Sequence, residues 1–133
     1  MKYLFALIGD ESSNADRTPE EDQEAMKAWD AFTTETKDAG AFVAGEGLQP
    51  SATATTVQIP ERGQGDPIVT DGPFAETKEQ LGGFYLLECA DLDEAISWAN
   101  KIPMFGGSVE IRPVMDYESA GSEAHTSEAG AAA

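Results

Sequence analysis

The chain has 133 residues and carries Asp+Glu 25 against Lys+Arg 8, a formal net charge of -17 at pH 7. That length makes one domain, able to bury about two-thirds of the surface its unfolded form exposes, and the charge repels phosphate backbones and anionic lipid surfaces, which argues against nucleic acid and membrane as partners. A single cysteine, Cys89, excludes an intramolecular disulfide and fits a cytoplasmic protein.

Tyr3 to Ile8 is apolar on both alternating faces, the pattern of a central strand covered on both sides. A signal peptide wants about 7 to 15 apolar residues and a small-residue cleavage site, and this shorter run meets Gly9-Asp10-Glu11 instead. No run approaches the roughly 18 apolar residues of a membrane span. After a polar loop, Thr18-Pro19-Glu20-Glu21 forms a helix start, with Thr18 as N-cap, Pro19 at the first helical position and Glu21 closing a capping box. Ala25, Trp29, Phe32 and Thr36 share one helical face and Gly40 stands where a C-terminal cap belongs, which predicts a helix of about five turns lying on the sheet.

Phe42 to Leu48 is a second strand, in which Gly45 and Gly47 leave room for another backbone or a ligand to come close. Gln49-Pro50-Ser51 turns the chain. Thr53 to Ile59 and the short run Ile68 to Thr70, on either side of the loop Arg62-Gly63-Gln64-Gly65-Asp66, make an inserted hairpin arm. Gly83 to Cys89 is again apolar on both faces. Asp91, with Glu94 three residues on, opens a second helix whose expected buried stripe is Leu92, Ala95, Ile96 and Ala99, with Pro103 beyond its end. Ser108 to Val114 is the last strand. From Tyr117 the residues are small or acidic without apolar period, which predicts a disordered tail over 117–133 behind a domain of 1–116.

The order β-α-β, inserted β-hairpin, β-α-β is the split βαβ arrangement of an α+β, ferredoxin-like fold. Its helices cover one sheet face. Because the two central strands are apolar on both sides, the other face needs a cover, and the economical one is a homodimer packed sheet against sheet.

The last strand carries the chemistry that spacing can suggest. Val109, Ile111 and Pro113 alternate with Ser108, Glu110 and Arg112, so Glu110 and Arg112 point into the dimer cleft if the apolar set faces the helices. Arg112 and Lys78 together would hold a small carboxylate in an otherwise negative molecule; alternatively they pair with Glu76, Glu88 or Glu110. Asp71-Gly72-Pro73-Phe74 offers a similar choice. Asp at the first position of a turn accepts a backbone N–H two or three residues on, whereas Asp71 as a general acid or base needs a pKa raised by burial or by a nearby acid. The one histidine, His125, falls in the predicted tail, so no Ser-His-Asp or Cys-His unit and no zinc-ligand spacing forms in the folded region. Gly45-Glu46-Gly47 lacks the helix start of a phosphate loop. No metal and no cofactor is expected, and Trp29 and Trp98 read as core residues.

The block Asp71-Gly72-Pro73-Phe74-Ala75-Glu76-Thr77-Lys78-Glu79, followed by Gly82-Gly83-Phe84-Tyr85-Leu86-Leu87-Glu88 and the closing Val109-Glu110-Ile111-Arg112-Pro113-Val114, resembles the DGPF branch of the YCII-related family. The likeness runs from Met1 to about Met115. It implies a dimeric ferredoxin-like α/β-barrel with a cleft in which the aspartate matching Asp71 is a catalytic or ligand-binding group. Phe74 and Tyr85, aromatic members of the same block, join Lys78, Glu110 and Arg112 as candidate ligand-binding residues. In the broader family that aspartate is paired with a histidine as an acid/base dyad; no histidine of the folded region matches it, so the dyad does not carry over. The expected function is a dimeric binding or accessory protein for a small anion, with a cleft near Asp71. The alternative is an acid/base enzyme using Asp71, by analogy with lactone isomerases and hydrolases of related barrels, and a third reading makes the turn purely structural.

Overall fold

The computed structural model describes residues 1–14, 16–75 and 78–117. Glu76, His125 and the predicted tail beyond Tyr117 lie outside the described residues. Among the described residues six strands and two α-helices follow in the order β1 (Lys2–Asp10), α1 (Pro19–Asp38), β2 (Phe42–Gly47), β3 (Thr55–Gln58), β4 (Ile68–Asp71), β5 (Glu79–Glu88), α2 (Leu92–Ala99) and β6 (Ser108–Pro113).

Local chemistry accounts for both helix starts. The Thr18 hydroxyl accepts the Glu21 backbone N–H at 3.1 Å while the Glu21 carboxylate accepts that of Thr18 at 3.0 Å, the reciprocal capping box that the spacing predicts. At the other end Ala39 caps the helix and Gly40, with φ +74, takes the left-handed step that turns the chain towards β2. Asp91 accepts the Glu94 N–H at 2.9 Å, and the Glu94 carboxylate reaches back to the N–H of Ala90 at 3.0 Å.

Four strands pair antiparallel in the order β2-β5-β1-β6, an α+β arrangement compatible with the ferredoxin-like fold expected. The inserted hairpin, β3 with β4, is a sheet of its own. Two boundaries differ from the sequence reading. β5 begins at Glu79 rather than Gly83, because the glycine pair is a bulge within the strand: Leu7 opposes Gly83 and Ile8 opposes Leu81, leaving Gly82 as the extra residue. β3 begins at Thr55 rather than Thr53, because Ser51–Thr53 closes into a 3₁₀ turn.

The core lies between the helices and one face of the four-stranded sheet. Tyr3, Phe5, Tyr85, Leu87 and Cys89 from the sheet meet Phe32, Ala95 and Ile102, with Leu7, Trp29, Trp98, Val109 and Ile111 packed around them. The stripe expected on α2 is partly wrong. Leu92 and Ile96 are 51% and 43% exposed, and the inward face is instead Ala95, Trp98 and Ala99, continued by Ile102 just past the helix. Both sets satisfy the 3.6-residue period, and the large Trp98 ring, edge-on to Phe32 at 6.1 Å, turns the helix to the second. Among the described residues no helix is long and apolar enough to cross a membrane.

Candidate functional site

The hairpin arm is joined to the body at its root. The join is made by Ser51, which gives both its N–H and its hydroxyl to the Glu11 carboxylate, while the arm itself is closed by Gly72, whose N–H donates to the Ala54 carbonyl and whose carbonyl accepts the Thr56 hydroxyl, both at 2.7 Å. Asp71 is the last residue of β4, opposite Thr55, and is exposed. The turn expected of its side chain is made otherwise: among the described residues no hydrogen bond to the Asp71 carboxylate is found, and the chain reverses through Gly72, whose φ of +106 lies where side-chain-bearing residues rarely go. Phe74, two residues past that glycine, is 81% exposed. Nor does any ion pair reach Asp71 among the described residues.

The open face of the sheet carries the other candidates. The residues of β1 and β5 that alternate with the core set are Leu4, Ala6, Ile8, Phe84 and Leu86, and none of them joins the core. Register builds two rows across this face: Ala44, Leu86, Leu4 and Arg112 in one, Glu46, Phe84, Ala6 and Glu110 in the next. Val109 and Ile111 turn to the core as the alternation of β6 predicts, and Glu110 and Arg112 are exposed on the opposite side. Arg112 makes no ion pair among the described residues. Glu88, one carboxylate that could have taken it, pairs with the Met1 α-ammonium at 3.3 Å. Lys78 is exposed and likewise without an ion pair among the described residues; its charge helps hold the Asp10 carboxyl below its usual range, after the larger effects of hydrogen bonds from the Ser12 hydroxyl and N–H.

Tyr85 is not brought to this face. It is buried on the helix side, where its hydroxyl shares a 2.7 Å hydrogen bond with that of Thr33 and its ring stacks on Trp29 with centroids 6.3 Å apart. Gly45 belongs to the same packing: a Cβ there would lie 2.8 Å from the Tyr85 ring, so the close approach expected at this glycine is by a core side chain. Gly47, by contrast, has open space around it.

A family model for the YCII-related domain matches residues 1–118. The chain belongs to the YCII-related family. The match spans the hairpin arm, the open face and both helices, and an uncharacterized protein of Rhizobium meliloti (strain 1021) is similar over 121 residues at 39% identity, covering 89% of this chain and 95% of that one. Within this YCII-related domain the sequence-predicted residues thus fall into four groups. Asp71 ends the arm and Phe74 lies just past it, Arg112 and Glu110 belong to the open face, Tyr85 to the core, and Lys78 stands just before β5, next to the Glu79 that opposes Asp10.

One concavity of the YCII-related domain holds none of them. A cavity of about 370 Å³ lies between the end of α1 and α2, lined by Ala39, Ala41, Glu88, Glu94, Trp98 and Lys101 among others. Its one cation is already engaged: the Lys101 ammonium is bound by Glu35 and sits 5.2 Å from the centre of the Trp98 ring. Lys101 lies in the turn after α2 and donates its N–H to the Trp98 carbonyl at 3.0 Å, which brings the two side chains together.

Proposed function

We propose that the protein is a homodimeric binding or accessory protein of the DGPF type, built as an α/β-barrel from two open sheet faces, and that Arg112 holds a small carboxylate at the rim of the resulting cleft. The observation that carries this reading is Arg112 itself, an exposed guanidinium without a carboxylate partner among the described residues, beside the apolar pair Leu4 and Leu86 in a molecule of net charge -17. A guanidinium offers a rigid fork of donors that matches a carboxylate, and neighbouring apolar surface weakens the competition from water. Glu110, two residues away on the same face, sets a limit on the ligand's negative charge. Lys78 precedes Glu79, which stands opposite Asp10, six residues along β1 from the Leu4 position that Arg112 faces, so Lys78 and Phe74 serve a part of the cleft away from Arg112. Binding is favoured over proton transfer at Asp71 because no titratable partner hydrogen-bonds to or ion-pairs with that carboxylate among the described residues.

The test is a thermal-shift series with small mono- and dicarboxylates, each matched to sodium chloride of equal ionic strength so that general screening of the negative surface cancels. A ligand at about 100 times its dissociation constant adds about 2.7 kcal/mol of stability, which raises the melting temperature by several degrees. Wild type is expected to give that rise with at least one carboxylate, and Arg112→Gln to lose it. Wild type and Arg112→Gln responding alike, or neither responding, rejects the reading.

A further inference from the structure

The β3–β4 arm is an energetic oddity. An isolated two-stranded hairpin is marginal in water, because it has no layer against which to bury a face. This one nevertheless exposes Val57 (48%), Ile68 (59%) and Val69 (64%), and its strands pair only with each other. The register places Val57 opposite Val69 and Thr55 opposite Asp71 on one face, with Thr56, Thr70, Gln58 and Ile68 on the other.

We infer that the arm is a clasp for a second copy of this chain, docking through the face that carries Val57 and Val69 and so delivering Asp71 to the partner's surface. This rests on the homodimer reading given above. The size of the surfaces selects the occupant. Strands of six, ten, nine and six residues, at about 3.3 Å per residue and about 4.8 Å apart, present roughly 490 Å² of sheet. A standard interface buries about 800 Å² of accessible surface per partner, so the open sheet face, measured flat, is about three-fifths of what a stable dimer needs. An apolar arm rooted at one end of the same sheet is where the remainder can come from. The net charge of -17 adds to the requirement, since two copies repel each other and apolar area must carry the association. The clasp also gives Asp71 surroundings that the single chain does not provide: the site around it is completed only by the partner.

The experiment is sedimentation equilibrium of the full chain across micromolar concentrations, for wild type, Val57→Thr/Val69→Thr and Ile68→Thr. Threonine keeps the β-branched shape and strand preference of valine while replacing one of its methyl groups by a hydroxyl that is costly to bury unpaired. The double variant is expected to dimerise about tenfold more weakly, and Ile68→Thr, on the opposite face, to stay within about twofold of wild type. A wild type that is monomeric removes the homodimer reading and the clasp together. A dimeric wild type with an equally tight double variant, or with Ile68→Thr the more damaging change, overturns the clasp alone. Should the double variant lose its circular dichroism spectrum, hydrogen exchange of residues 55–71 in wild type decides instead. Protection that grows with the dimer fraction supports docking between copies, and protection independent of concentration overturns it.

Discussion

Cys89 directly follows β5 with its side chain in the core, 2% exposed, and its N–H bound to the Met1 carbonyl at 2.8 Å. Burial pushes its thiol above the ordinary value, the charge of Glu94 adds to the rise, and the nearby α-ammonium opposes it. Since the thiolate is the reactive form, native Cys89 is expected to resist iodoacetamide at pH 8 and to react promptly once the chain is unfolded in guanidinium. Labelling of the native protein as fast as of the unfolded one would contradict this packing. The cysteine's role as a small hydrophobe was legible in the sequence, because a lone cysteine in an apolar strand has little else to do. Tyr85 was not legible. Strand alternation marks two faces without saying which is covered, and it is the Thr33 hydroxyl and the rings of Trp29 and Phe32, all from α1, that identify the side on which Tyr85 lies.

At the scale of the element, short-range chemistry proved the most readable. The capping box of α1 joins residues three apart and needs no tertiary knowledge. Thr18→Ala is expected to cost about 1 kcal/mol, seen as a melting temperature lower by a few degrees. The same box carries a pH signature. Hydrogen bonds from the Thr18 N–H and then the Thr18 hydroxyl lower the Glu21 pKa in the folded state, so its contribution is complete above the unfolded value of 4.5 and is lost as pH falls through the lower folded one. The difference in melting temperature between wild type and Glu21→Gln should therefore be constant above that pH and close below it; a difference unchanged at acid pH refutes the account. The face of α2 was harder to read, because it depends on how Trp98 meets Phe32 across the core. The bulge at Gly82 was harder for the same reason: a glycine pair can start a strand or interrupt one, and the pairing of Ile8 with Leu81 makes the choice.

For the whole molecule, charge is the dominant fact. Among the described residues three ion pairs appear, Met1 with Glu88, Arg17 with Asp22 and Lys101 with Glu35, all on exposed or partly exposed groups and each worth little. They leave most of the acid excess uncompensated. Moderate salt, by screening that self-repulsion, should raise the melting temperature, and a fall on adding salt would show that attractive pairs outweigh it. The fold was legible at this scale because the order of elements and the two-sided apolar strands leave few arrangements. The site was less so, since Asp71 and Arg112 belong to different sheets and no local pattern reports the distance between two surfaces of one chain.

Both tryptophans sit on the body, Trp29 stacked on Tyr85 and Trp98 edge-on to Phe32, while the arm between Thr55 and Asp71 has no aromatic residue at all. Intrinsic fluorescence is thus a reporter for helices leaving the sheet and is blind to the arm. A single sharp fluorescence transition would describe the body alone, and agreement with a probe placed in the hairpin is what would establish that the two melt as one unit.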